Sequence, residues 1–199
     1  AKEQLDIVRT AWAKDTFTYS GKYYTNAELG LNPRVAKKLP FWYAGGTPAS
    51  VRRALDFCDG WLPGRITLET YKKRVAKLRN DAQEMGKPRL LEGCIPITSI
   101  DEDRETALRK VNVEGLLDNA NGPMGKFWTK PGSGSFQNWE DLEGSFIAGT
   151  PDDVVRDVEK YLEAGIDHIV FDLRFRYDDW DHCIELLAKE VLPRVRKHS

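Results

Sequence analysis

The feature that most constrains this chain is a rhythm in which short apolar runs alternate with stretches of helical period. Phe41–Ala44, Asp59–Pro63, Leu90–Thr98 and Ile166–Asp172 read as buried strands. After the first, Val51, Ala54, Leu55 and Cys58 recur at i, i+3, i+4 and i+7, one face of a helix. After the second, Tyr71, Val75, Leu78, Ala82 and Met85 outline a longer helix that Gly86 and Pro88 close. Asp101-Glu-Asp then places negative charge at the start of a helix running through Ala107, Leu108, Val111, Leu116 and Leu117. Gly149-Thr-Pro-Asp-Asp opens another, with Val154, Val155, Val158, Tyr161 and Leu162 on its apolar face and Gly165 at its end. A last helix covers roughly 179–192 and stops at Pro193. Strands that alternate with helices in this way predict an α/β fold, a parallel sheet with helical crossovers.

The rhythm has a prelude and an interruption. Leu5, Val8 and Trp12 predict a helix over 2–14. Two β-prone runs around Ser20-Gly21 predict a short hairpin, and 26–39 reads as an irregular connection. Residues 119–145 are rich in Gly, Asn, Ser and Pro yet carry Phe127, Trp128, Phe136 and Trp139. Those aromatics point to an ordered excursion, either a lid or a loop fastened to the body of the protein.

Net charge separates the partner classes. A formal charge of -1 on 199 residues offers no basic field for nucleic acid, and no apolar run approaches membrane-spanning length. The N-terminal residues do not read as a signal peptide. Cys58, Cys94 and Cys183 lie far apart with no C-x-x-C, as in reduced cysteines of a cytoplasmic protein.

The most informative local segment is Pro40-Phe-Trp-Tyr-Ala-Gly-Gly-Thr-Pro48, a strand, a tight turn and a helix start. Thr47 suits the N-cap and Pro48 the first helical position. Gly45 and Gly46 allow close approach to a backbone whose N–H groups carry partial positive charge, an arrangement suited to phosphate or to a plain turn.

Four segments resemble the luciferase-like monooxygenase family, in the family's order. They are the hairpin Phe17-Thr-Tyr-Ser-Gly-Lys-Tyr-Tyr24; Leu39-Pro-Phe-Trp-Tyr-Ala-Gly-Gly46 with Cys58-Asp-Gly-Trp61; Phe146-Ile-Ala-Gly-Thr-Pro-Asp-Asp-Val154 leading to Ala164-Gly-Ile-Asp-His168; and Ile184-Glu-Leu-Leu187 with Glu190-Val-Leu-Pro193. The resemblance implies the C-terminal half, strands five to eight, of a (β/α)8 TIM-type barrel, since a closed barrel takes roughly 250 residues. On that reading residues 1–199 are one partial domain with 119–145 as a loop excursion. A missing N-terminal half-barrel, on the same or a separate polypeptide, completes it.

The resemblance further implies reduced FMN with O2, or the deazaflavin F420 as hydride carrier, acting on a small organic substrate. It implies a cofactor phosphate on Gly45, Gly46 and Thr47, with Ser50 added from the first helical turn. A homo-oligomer and a flavin reductase partner are further expectations. The second helix start, Gly149-Thr150, is a rival anion site that capping by Thr150 and Asp153 also explains. Arg174 and Arg176 follow the last strand, where they either meet an anionic substrate or balance Asp178, Asp179 and Asp181. No catalytic residue emerges: His168 starts a strand, at the stability end of a barrel. His182 lies near Asp178 without zinc-ligand spacing, so no metal site is expected. A non-catalytic flavin-binding or structural half-barrel is the alternative outside enzymes.

Overall fold

The structure, a computed structural model, describes residues 2–33, 37 and 39–195. These divide into two compact units, Ala1–Phe41 and Trp42–Ser199. In the first, helix α1 (Lys2–Ala13) precedes an antiparallel hairpin of β1 (Phe17–Ser20) and β2 (Thr25–Leu29). The Glu3 carboxylate accepts hydrogen bonds from the N–H groups of Lys22, Tyr23 and Tyr24, which fixes the hairpin tip to α1. Trp12 stacks on Phe41 with ring centres 5.0 Å apart. β1 lies where its β-prone run places it, but Lys22–Tyr24, read as part of the second run, belong to the turn, and β2 begins at Thr25 and continues to Leu29 in a stretch read as irregular.

The second unit holds the alternating pattern. Its elements are β3 (Trp42–Ala44), α2 (Pro48–Phe57), β4 (Gly60–Leu62), α3 (Leu68–Glu84), β5 (Leu91–Cys94), β6 (Ile97–Ile100), α4 (Arg104–Arg109), α5 (Val113–Asn121), β7 (Phe146–Gly149), α6 (Pro151–Glu163), β8 (His168–Ile169), α7 (Trp180–Leu186) and α8 (Leu192–Val195). The four strands read from the sequence form one parallel sheet in the order β3-β4-β5-β8. This is the expected α/β architecture.

Several elements differ from expectation. The run Leu90–Thr98 is two strands, because Pro96 has no N–H to give to a ladder. The helix expected from Asp101 onward is two, α4 and α5, with Asn112 capping the second through its side chain. Phe146–Gly149, read only as the approach to a helix, is a fully buried parallel strand beside β6. Alternate residues of the β5–β6 run serve different neighbours. The N–H groups of Leu91 and Ile97 donate to Asp59 and Ser145, whereas Glu92 and Pro96 accept from Asp167 and Asp172. The final helix carries a π-helical turn, Leu187–Val191, between α7 and α8, and α8 runs through Pro193, where the sequence places the stop, to Val195.

The two faces of the sheet have different surroundings. Trp61, Glu92 and Cys94 point into the helix-covered core and are buried. Glu92 is fully buried and bonded by Arg79 and Arg89, with Arg79 also donating to the carbonyls of Ala164 and Gly165. This ties α3, β5 and the end of α6 together where the strands begin. On the other face the Trp42 ring lies over Gly60 and Gly93. A Cβ on Gly60 would come within 2.6 Å of that ring. The ring reaches His168 across the width of the sheet, centroid to centroid 5.7 Å. A ring contact therefore links the edge strands β3 and β8 on this face. Its residues Trp42, Leu62, Ile95 and Val170 remain partly exposed.

The excursion 119–145 is ordered and only part of it reaches solvent. Asn121 exchanges two hydrogen bonds with the backbone of Phe136. Phe136 and Leu142 are buried in a second core cluster with Ile97, Leu116 and Phe146. Phe127 and Trp139 are exposed.

Candidate functional site

All βα turns of a parallel sheet leave from the C-terminal ends of the strands, so the expected site residues share one end of this fold. The first turn follows β3. Thr47 is the N-cap of α2: its Oγ1 accepts from the Ser50 N–H and bonds the Ser50 hydroxyl at 2.8 Å. Gly45 has φ +136°, and a Cβ there would lie 2.5 Å from Ser50 Oγ. A Cβ on Gly46 would lie 2.7 Å from Ile66. Both glycines are thus required by the turn's own packing.

The carbonyls of this turn are held from behind. Trp61 Nε1 donates to Gly45 O at 2.9 Å, and Arg74 Nε donates to Gly46 O at 3.2 Å. Arg74 also donates to Phe127 O in the excursion. It has no carboxylate partner among the described residues, and burial pushes its guanidinium down from its usual range. Neither Trp61 nor Arg74 was expected at a site. Arg74 left a faint signal: it is a cation beside Tyr71, Val75 and Leu78 on the apolar side of α3.

The second Gly-Thr-Pro start has the same cap but opposite electrostatics. At α6 the Thr150 N–H and hydroxyl both bond the Asp153 carboxylate in a full capping box. Burial raises the Asp153 carboxyl, but bonds from Thr150 and Arg156 and the charge of Arg104 outweigh it and hold the group ionised below the usual range. A carboxylate thus occupies the amide that an anion would need. At α2 the corresponding residue is the neutral Ser50, no acid lies in the first turn, and the Thr47 N–H has no acceptor among the described residues. Of the two starts, only α2 presents an anion with uncompensated positive potential.

The arginines after the last strand have separate positions. Arg174 is exposed and paired with Asp172. Arg176 is fully buried. Its guanidinium bonds Asp179, Asp101 at 2.9 Å, the Ile100 carbonyl and Ser99 Oγ, so its donors are spent inside the fold. A cavity of about 440 Å³ opens between Arg174, Asp172, Ile95, Val170, Tyr177 and Trp180, on the face of the sheet that carries Trp42.

Two groups are set aside by their surroundings. Burial pushes the Cys94 thiol well up, so it stays protonated and is no nucleophile at neutral pH. The structure brings Asp101, Glu102 and His182 within 4.8 Å of one another. Asp101 is already engaged by Arg176, and Glu102 pairs with His182 at 3.0 Å.

Hydrogen bonds from Arg176 hold the Asp179 carboxyl below the usual range. A depressed carboxyl contributes stability that is complete above the unfolded pKa of about 3.9 and is lost as pH falls through the lower folded value. Asp179→Asn is therefore expected to flatten the acid limb of stability below about pH 4, read by thermal unfolding across pH 2–7. An acid limb identical to the parent's would remove Asp179 from the pH response.

The sequence pattern of the luciferase-like monooxygenase family matches residues 1–168. The chain belongs to this family. Among its curated relatives is the F420-dependent glucose-6-phosphate dehydrogenase of Microbacterium testaceum (strain StLB037), 25% identical over 210 residues, covering 98% of this chain and 60% of the relative. The fold superimposes on an F420-dependent secondary alcohol dehydrogenase in complex with an F420-acetone adduct. The TM-score is 0.73 at 20% identity, covering 98% of this chain and 60% of that one. It also superimposes on the oxygenating constituent of 3,6-diketocamphane monooxygenase from Pseudomonas putida in complex with FMN. That TM-score is 0.66 at 20% identity, covering 97% of this chain and 62% of that one. The chain spans about 60% of the length of these relatives and solved structures. No helix among the described residues is long and apolar enough to cross a membrane.

Proposed function

We propose that this chain is the C-terminal half, strands five to eight, of a (β/α)8-barrel oxidoreductase, and that it grips the phosphate end of an FMN or F420 cofactor at Gly45, Gly46 and Thr47. The observation that carries the reading is the Thr47 helix start: an amide without an acceptor among the described residues, a neutral Ser50 at the third helical position, and no acid in the first turn. These residues fit a phosphate, because they offer N–H and hydroxyl donors and no competing carboxylate.

The half-barrel reading is supported by the sheet. Its strands β3 and β8 are edges, and the face that carries Trp42 also holds Leu62, Ile95 and Val170 partly exposed. A further set of parallel strands, on the same or a separate polypeptide, would pair those edges and cover that face. The remaining length of the relatives is enough to supply them. A homo-oligomer and a flavin reductase remain proposals, as does the cytoplasmic setting suggested by three free cysteines.

Bound reduced FMN supplies electrons for O2 activation, and F420 supplies or accepts a hydride. This chain's part is binding and placement. The turn after β3 fixes the cofactor's anionic end. The cavity at Asp172, Arg174, Tyr177 and Trp180 provides a partly apolar space for a small organic substrate, with Arg174 as the cation able to leave Asp172 for an anionic group. Arg176 sets the position of that segment from inside the fold. The groups that act on the reacting atoms are assigned to the other half.

Two cofactor readings stay distinct. The FMN–O2 reading has structural neighbours such as the camphane monooxygenase. The F420 reading is favoured by the curated relatives, several of which are F420-dependent glucose-6-phosphate dehydrogenases. The intact protein should retain one of the two, identified by the absorbance of the bound cofactor. O2 uptake with reduced FMN marks the first reading, and reduction of F420 by alcohol-type substrates marks the second. Retention of neither would leave a non-catalytic half-barrel.

A further inference from the structure

We infer that Trp61 and Arg74 are positioning residues that turn the backbone N–H groups of Gly46 and Thr47 toward a phosphate; this builds on the cofactor site proposed above. The peptide units 45–46 and 46–47 are trans. In a trans peptide the C=O and the N–H point in opposite directions. A donor that fixes the carbonyl of one residue therefore fixes the amide of the next to face away from that donor. Trp61 Nε1 fixes Gly45 O, which orients the Gly46 N–H. Arg74 Nε fixes Gly46 O, which orients the Thr47 N–H.

Both grips come from the α3 side. The Trp61 ring is stacked on Tyr71 of α3 at 5.8 Å and 12°, and Arg74 lies three residues on, one helical turn further along the same face. Two consecutive amides are thus held away from α3 and toward a common side, as in a backbone anion nest. Two further observations single this turn out. Neither amide has an acceptor among the described residues, whereas the matching amide of the other Gly-Thr-Pro start is taken by Asp153. Arg74 is also a partly buried guanidinium that bonds only carbonyls, without a counter-charge among the described residues.

The two residues are well seated for this task. Trp61 is fully buried, so its indole N–H cannot wander. Arg74 is braced at a second point by Phe127 O, which couples the turn to the ordered excursion.

The test compares each phosphorylated cofactor with its phosphate-free form: FMN against riboflavin, and F420 against the phosphate-free deazaflavin. Affinities are measured by fluorescence titration of the intact protein. Trp61→Phe keeps the ring stack and removes the donor; Arg74→Met keeps the stem and removes the guanidinium. Each is expected to cut the preference for the phosphorylated form about tenfold while affinity for the phosphate-free form stays within twofold. Arg74→Gln, which retains an N–H donor, should recover part of the loss. A parent protein with no preference for phosphate overturns the cofactor site itself. A parental preference that survives both substitutions overturns the positioning role alone. Equal losses for both forms, or a fall in melting temperature with no change in the preference ratio, reduce Trp61 and Arg74 to packing and also overturn it.

Discussion

Replacing Arg176 by leucine is expected to lower the unfolding free energy by about 3–5 kcal/mol, the usual cost of removing one partner from a buried ion pair. The guanidinium is wholly buried and joins the end of β6, through Ile100 O and Asp101, to Asp179 at the start of the last helix. Leucine leaves two carboxylates without a partner and a buried carbonyl without a donor. Asp101 and Asp179 are only partly shielded, so water recovers part of the loss. Combining Arg176→Leu with Asp101→Asn and Asp179→Asn should recover more, since a neutral set has no charge to strand. Urea unfolding of the parent and the two variants gives the comparison. An Arg176→Leu protein within about 1 kcal/mol of the parent would mean that the guanidinium is not held as described.

The second large effect concerns the turn after β3. Thr47→Val together with Gly46→Val is expected to weaken FMN or F420 binding by about a hundredfold, the equivalent of one to two charge-assisted hydrogen bonds. The valine at 46 drives a side chain toward Ile66, already 2.7 Å from where a Cβ would stand, and so moves the amides away from their common direction. The valine at 47 removes the hydroxyl and the cap, which alone costs about 1 kcal/mol of helix stability. Thr150→Val loses an equivalent cap at α6 and serves as the control, because Asp153 already blocks that helix start. Equal weakening in the control would mean that general loosening is being measured. Unchanged affinity in the double variant would move the phosphate elsewhere.

Much of the fold was legible because its signals are local. Apolar runs of strand length, helical periods between them, and caps such as Thr47, Asp103 and Thr150 each act within a few residues. The parallel order of β3, β4, β5 and β8 follows from that alternation. The strand Phe146–Gly149 was harder to see. It is four residues long, buried on all sides, and follows a Gly-rich excursion, so no period marks it. The break at Pro96 was written in the sequence as a missing N–H, but the apolar run around it hid the consequence.

The candidate site divides in the same way. Gly45, Gly46, Thr47 and Ser50 announce a strand–turn–helix with glycines and a cap, and the sequence alone determines that local form. The distinction between two near-identical Gly-Thr-Pro starts also lies in the sequence, as Ser50 against Asp153, although its meaning needs the bond from Asp153 to the Thr150 amide. Only the tertiary structure decided the surroundings of the two arginines after β8 and the hydrogen-bond partners of Trp61 and Arg74. Arg174 and Arg176 are two residues apart, yet the backbone turns one to solvent and buries the other against Ile100 and Asp101, about 75 residues away in sequence. Trp61 and Arg74 reach the glycine turn because α3 packs behind it, bringing donors 16 and 28 residues distant onto two adjacent carbonyls. Periodicity and capping report what a residue does to its neighbours along the chain, whereas the partner of a buried donor is chosen by how helices and strands pack.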